Sequence, residues 1–307
     1  MEVAAADALA RLRPRSAPEV VDAAVQLVRQ AFRPLAVLGA VNVIPGLVLG
    51  PVMQQFLPST GTMPTPGAAA GLFGALALWM CLYSIGTAAM VRAASDAVLG
   101  RDPDAGAALR FALSRAGALI VAHLAAYFRA FFVFVAALLV VGIVIGLLLV
   151  ASGARAAAGS GPIGALTIVG ALGAFVASVG VLTRYAVMTP AIVLERLGAR
   201  AGLARSAELT AGSRWRVFLL LVALYGTSVG ASLAMAQLLQ LIVRNQHLAT
   251  ALNSVLWIPA TAFVACIFTL LYYDLRIRRE GYDIELLASQ LERPAAAPAL
   301  PPPAIDR

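Results

Sequence analysis

Five stretches of this chain carry no charged residue: 34–91, 130–154, 156–183, 217–243 and 245–273. A bilayer core about 30 Å thick is crossed by about 20 helical residues, so each stretch can span it and the first can span it twice. A Pro/Gly/Thr cluster from Pro58 to Gly67 divides that first stretch into a hairpin. The pattern predicts six transmembrane helices, near 34–57, 68–91, 130–151, 162–184, 217–242 and 249–273. The first long apolar run follows a charged stretch and lacks a small-residue cleavage site, so the first span is expected to serve as the insertion signal itself.

Between the spans the apolar positions take on a helical period with polar residues interleaved. Ser16-Ala-Pro-Glu19 fits a capping box with proline in the first turn. The helix it starts places Glu19 and Asp22 near its positive end and Arg29 and Arg33 near its negative end, with Val21, Val25, Val28 and Phe32 as an apolar stripe for the membrane surface. A second helix after Pro103 puts Leu109, Ala112, Leu113, Ala116 and Ile120 on one face. A third covers about 199–211 and ends at Gly212, with Ser213 capping the fifth span and Trp215 as an interfacial anchor between Arg214 and Arg216. The expected architecture is therefore an all-α integral membrane protein of three hairpins, each preceded by an amphipathic cytoplasmic surface helix. This order suggests a threefold repeat, and Gly46/Gly50, Gly142/Gly146 and Gly226/Gly230 fall in the first helix of each hairpin, where small residues let backbones approach. With 26 glycines in the chain, such spacings also arise by composition. The domain limits read as a flexible N-terminus at 1–15, a membrane domain at 16–292 and a disordered Pro/Ala-rich tail at 293–307.

Composition excludes a water-soluble enzyme. Of 307 residues, 61% are hydrophobic and 12% charged, with a mean hydropathy of +0.88; ordinary soluble domains have about 45–50% apolar and about 25% charged residues. The net charge of +8 rests on 23 basic residues, all of them arginine. They are spread over short loops rather than gathered in a patch, so nucleic acid is not an expected partner. Their placement sets orientation: Arg11, Arg13, Arg15, Arg29, Arg33, Arg92, Arg101, Arg110, Arg115, the 184–216 loop, Arg276, Arg278 and Arg279 lie on one side, against Arg155 and Arg244 on the other. Both termini are thus expected in the cytoplasm of a bacterial inner membrane.

Candidate chemistry is sparse. His123 and His247 have no carboxylate at ligand spacing, Cys81 and Cys266 sit inside apolar runs, and no hydrolase, zinc or phosphate-loop motif occurs. Neither catalytic residue nor cofactor nor metal site is nominated. Charges cluster instead where spans end: Arg92 with Asp96, Arg184 with Glu195, and Asp274 with Arg276, Arg278, Arg279 and Glu280. The plain reading is anchoring at the headgroups. The functional one is a polar cluster of Glu195, Arg205, Asp274, Arg276 and Arg278 below the bundle, where Glu195 and Asp274 pair with the arginines. Pro190 and Pro259 are expected to kink or end helices, for a gated path or for packing.

The segments Thr189-Pro-Ala-Ile-Val-Leu-Glu195, Ala204-Arg-Ser-Ala-Glu-Leu-Thr210, Gly212-Ser-Arg-Trp-Arg216 and Leu271-Tyr-Tyr-Asp-Leu-Arg-Ile-Arg-Arg-Glu-Gly-Tyr-Asp283 resemble the glycerophosphoryl diester phosphodiesterase membrane-domain family of bacterial multi-span proteins. The resemblance implies a helical membrane module with Glu195, Arg205, Ser206, Trp215, Asp274, Arg276, Glu280, Gly281 and Asp283 as motif-bearing positions. It does not imply phosphodiesterase activity, because the soluble catalytic domain of some relatives, with its histidines, carboxylates and divalent metal, has no counterpart here. Gly281 is placed to end the last long helix in a left-handed conformation and Asp283 to cap a short one after it. The expected function is a non-enzymatic scaffold or accessory that organises membrane lipids or membrane-protein partners; the alternative is a transporter or lipid-translocating protein.

Overall fold

In the computed structural model, which describes residues 15–56, 65–152, 161–243 and 245–281, ten helices follow one another and no strand occurs among the described residues. They are α1 (Ala17–Gln30), α2 (Phe32–Phe56), α3 (Pro66–Val98), α4 (Ala105–Ser114), α5 (Ala116–Ser152), α6 (Gly161–Thr183), α7 (Met188–Leu194), α8 (Ala199–Thr210), α9 (Arg214–Ile242) and α10 (Gln246–Glu280). Six apolar segments, carried by α2, α3, α5, α6 with α7, α9 and α10, are long enough to cross a membrane, so the chain is an all-α multi-span protein. Asp283, the His247 side chain, Arg155, Arg244 and the two terminal segments before Arg15 and after Gly281 lie outside the described residues.

Local chemistry starts and stops these helices. The Glu19 carboxylate accepts both the backbone N–H and the hydroxyl of Ser16 at 2.7 Å, closing the first turn of α1. Thr65 and Asp104 accept the N–H groups of Ala68 and Gly106 at the starts of α3 and α4. Gly100, Gly212 and Gly281 take positive φ of 70°, 82° and 62° just past helix ends, where a Cβ would be strained. Ser213 precedes α9 without a side-chain cap bond, contrary to the expected capping role.

Three helices overrun the limits that charge suggests. α3 continues to Val98 rather than 91, α5 begins at Ala116 rather than 130, and α10 continues to Glu280 rather than 273. Charge marks where lipid ends, whereas a helix ends where its backbone bonds find other partners. The overrunning turns are packed against protein: Ala93, Ala94, Ala97 and Val98 of α3 are buried, as are Leu119, Ala122 and Ala126 of α5 and Leu275 and Ile277 of α10. The second amphipathic helix accordingly stops at Ser114, and Ala116 and Ile120 belong to the long α5. α7 has no counterpart in the sequence pattern; Pro190 sits in its first turn, where no intrahelical N–H bond is lost, while α10 runs on through Pro259.

The core lies at the arginine-rich end, and α10 is its axle, packing against α1, α2, α3, α7, α8 and α9. α1 buries Val20, Ala24 and Leu27 against this end, leaving Val21 and Val25 partly exposed along the stripe that the pattern assigns to the membrane surface. A surface helix before a hairpin occurs three times: α1 with α2 and α3, α4 with α5 and α6, α8 with α9 and α10.

Close backbone approach falls on other glycines than the paired ones. A Cβ at Gly142, Gly146, Gly226 or Gly230 would meet nothing within 4 Å, whereas one at Gly39 would lie 2.8 Å from the Ile258 carbonyl oxygen and one at Gly86 would lie 2.4 Å from Asn42 Oδ1. Glycine spacing along one helix therefore does not locate the contacts here; the helix facing it does. Gly39→Val is expected to cost about 1–3 kcal/mol by overpacking α2 on α10. Gly230→Ala is expected to be neutral or slightly stabilising, and thermal unfolding in detergent compares the two.

Candidate functional site

Two charge networks tie the cap together. In the first, Glu195 at the end of α7 accepts Arg205 Nε at 2.9 and 3.0 Å and the Tyr272 hydroxyl at 2.8 Å. Arg205 also reaches Glu280 at 2.6 Å, and Glu280 accepts Arg276 Nε at 3.0 Å. A single guanidinium thus joins α7, α8 and α10. The hydrogen bond that Arg205 donates to Glu280, reinforced by Glu195, pushes the Arg205 pKa further up, so its charge is constant at any pH the fold survives.

The second network centres on Asp274, whose side chain is 1% exposed. It accepts Arg216 Nη1 at 2.7 Å, Arg278 Nε at 3.1 Å and the backbone N–H of Arg15 at 2.7 Å. Arg216 and Arg278 both donate to the Arg15 carbonyl as well. The peptide before α1 is therefore clamped to α9 and α10. Of the residues singled out from sequence, Glu195, Arg205, Arg276 and Glu280 come together, and Asp274 meets Arg278 apart from them.

The remaining motif positions have structural partners. Ser206, fully buried, donates to the Arg184 carbonyl at 3.0 Å and accepts the Val187 N–H at 3.2 Å, holding the turn between α6 and α7. Arg279 donates to the carbonyls of Glu208 and Ala211 at the end of α8. Trp215 is 70% exposed and stacks on Phe218 at 5.3 Å between ring centres, as a headgroup-level anchor would. Among the described residues no three His, Cys, Asp or Glu side chains gather as a metal ion would require.

Beneath this cap a cavity of about 630 Å³ opens between α3, α5, α6, α7, α9 and α10. Its wall is mainly apolar, with Val179, Leu182, Val264 and Phe268 among its residues. Four tyrosines, Tyr83, Tyr127, Tyr185 and Tyr225, also line it. Thr87 has a buried hydroxyl with no hydrogen bond of normal geometry. His123 Nδ1–H donates to the Leu119 carbonyl at 2.9 Å, leaving Nε2 as the acceptor 3.4 Å from the Thr189 hydroxyl.

Beside the cavity-lining Tyr185, the Arg129 guanidinium lies 5.6 Å from the centre of the ring, and Arg184 precedes that tyrosine in the chain. Both arginines are exposed, and neither has a carboxylate partner among the described residues. The arginines of the two networks, by contrast, each face a carboxylate. The arrangement joins a greasy pocket to a polar wall and two available cations.

None of the cavity tyrosines stands out from the sequence, because tyrosine carries no formal charge. The available signal is spacing: Tyr83 with Thr87 and His123 with Tyr127 are both four apart, which puts each pair on one helix face. His123 is thereby a cavity residue and not part of a surface-helix stripe. Compared with known family models, curated proteins and solved structures, the chain matches none.

Removing the Asp274 carboxylate leaves Arg216 and Arg278 without their shared partner, and Asp274→Ala is expected to destabilise by about 2–4 kcal/mol. Glu208→Gln breaks only an exposed 3.5 Å pair and is expected to change stability by less than about 0.5 kcal/mol. Equilibrium unfolding of both variants in mixed micelles checks the contrast.

Proposed function

We propose that this protein is a non-catalytic, lipid-handling membrane module that takes an acyl chain of one membrane phospholipid into the cavity and meets its anionic head at Arg129 and Arg184. The observation that carries this reading is the cavity itself: an apolar volume of about 630 Å³ beside uncompensated cations. Ligand pockets for single small amphiphiles fall at about 300–1,000 Å³. An apolar void of this size inside a bilayer is filled most favourably by a hydrocarbon chain, because water there finds few hydrogen-bond partners.

This reading takes the lipid-organising side of the function expected from sequence, in preference to docking of partner proteins. It places the protein in a bacterial inner membrane with the arginine-rich end in the cytoplasm. In support, Arg29, Arg33, Arg110, Arg129, Arg184, Arg200 and Arg214 are exposed at that end. Membership of the glycerophosphoryl diester phosphodiesterase membrane-domain family is part of the same proposal, supported by the residues of 189–216 and 271–283 and without hydrolysis.

Native mass spectrometry of the protein released from nanodiscs of phosphatidylethanolamine and phosphatidylglycerol tests it. The wild type is expected to retain one phospholipid, enriched in the anionic species. Val179→Trp with Val222→Trp, which fills the cavity, is expected to lower retention several-fold. Arg129→Ala with Arg184→Ala is expected to abolish the anionic preference. Equal retention by the filled variant sinks the proposal.

A further inference from the structure

The α9–α10 seam continues past the cavity. A second hollow of about 330 Å³ is lined by Thr227, Ser228, Ser232 and Met235 of α9 and by Asn253 and Trp257 of α10, among others. The two hollows abut in sequence on both helices: Gly226 lines the first and Thr227 the second, and Thr261 lines the first and Ala260 the second. At 1.5 Å per residue, the first hollow occupies about 9–17 Å of α9 counted from Trp215, and the second about 18–30 Å. Together they run most of the way across a hydrocarbon core about 30 Å thick.

The seam is polar where a lipid-facing helix pair has no packing need to be. Tyr225, Thr227, Ser228 and Ser232 follow one another along α9, opposite Thr261, Trp257 and Asn253 of α10. The Trp257 indole N–H donates to Ser232 Oγ at 3.1 Å, linking the helices in the far half. The hydroxyls of Thr227 and Ser228 donate to carbonyls of their own helix, including Leu224, so their lone pairs stay available to an outside donor. α9 itself is lightly held, packing mainly on α10 and α6. Pro259, one residue before the junction, removes a backbone N–H from α10 and leaves a carbonyl one turn earlier without its usual partner.

We propose that this seam is a path for the polar head of a phospholipid between the two leaflets, the chain bound in the cavity withdrawing into the bilayer as the head enters, so that the protein equilibrates lipid across the membrane. The inference rests on the lipid-binding reading above, with the cavity as the near-side station. Equilibration needs no energy source, since the lipid moves down its own gradient. The step that limits it is dragging a hydrated head through hydrocarbon, and a row of hydroxyl and amide groups lowers that cost by replacing water's hydrogen bonds.

The test uses the full chain in vesicles of phosphatidylethanolamine and phosphatidylglycerol carrying a trace of acyl-labelled fluorescent phosphatidylglycerol. Dithionite added outside bleaches only label in the outer leaflet. Wild-type vesicles are expected to bleach almost completely, and protein-free vesicles only by their outer-leaflet share. Gly226→Phe puts a ring at the junction where an added Cβ meets nothing within 4 Å, so it blocks the path without displacing a neighbour at that atom. Ser232→Leu with Asn253→Leu strips polar groups from the far hollow and leaves the near cavity intact. Each is expected to slow bleaching about tenfold or more, the scale on which a lost polar contact acts on a rate. Lipid retention by the Ser232→Leu, Asn253→Leu protein is expected to match wild type, which also shows that it folds. Wild-type vesicles that bleach no further than protein-free ones overturn the path; if lipid is still retained, the binding reading survives. Normal bleaching in both variants overturns the seam as the route.

Discussion

The carboxylate of Asp274 is the point on which the packed end of this protein depends. It is almost wholly withdrawn from water, and three donors from three parts of the chain close around it: Arg216 at the start of α9, Arg278 one turn along α10, and the peptide of Arg15 before α1. A buried ion pair of this kind is weak as a source of net stability, since desolvation offsets most of its attraction. Its value lies in selection. Helices in lipid have little hydrophobic drive to choose one neighbour over another, so a charge that must find its partners decides which faces meet. Glu195 and Arg205 do the same for α7 and α8 on the other side of α10.

Packing is uneven along the membrane normal as a result. Near the arginine-rich end the buried residues form one continuous cluster in which small side chains of α3 let α7 and α10 come close. Farther in, no residue of the most apolar stretch of α5 is fully buried, although α5 packs along α6. The cavity lies beneath the packed end and is bordered by tyrosines, whose rings are apolar and whose hydroxyls are polar.

Much of the architecture was legible in the residue pattern because the bilayer imposes a coarse and reliable code: charge-free length gives span number, and arginine bias distinguishes one end of the bundle from the other. The cap at Ser16 and Glu19 and the left-handed Gly281 follow from local rules. What the pattern leaves open is what depends on a second helix, including which of Arg205, Arg276 and Arg278 faces Glu195. Arg216 reads as a flank of Trp215, yet it meets Asp274, 58 residues away, at 2.7 Å. Gly39 and Gly86 lie in no paired motif, yet they are where backbones meet Ile258 and Asn42. The cavity was invisible for the same reason, since its wall is assembled from six helices that each look unremarkable alone.

The clamp on Arg15 joins residues 259 positions apart: a backbone donor before α1 is matched by an acceptor near the end of α10. Chains emerge from the ribosome in order, so α1 to α9 are made and inserted before Asp274 exists as a partner. Until then Arg216 lacks the Asp274 carboxylate, and α1 packs only on α2 and α3, without the helix that is its main partner. The packed cap therefore closes only once α10 is in place.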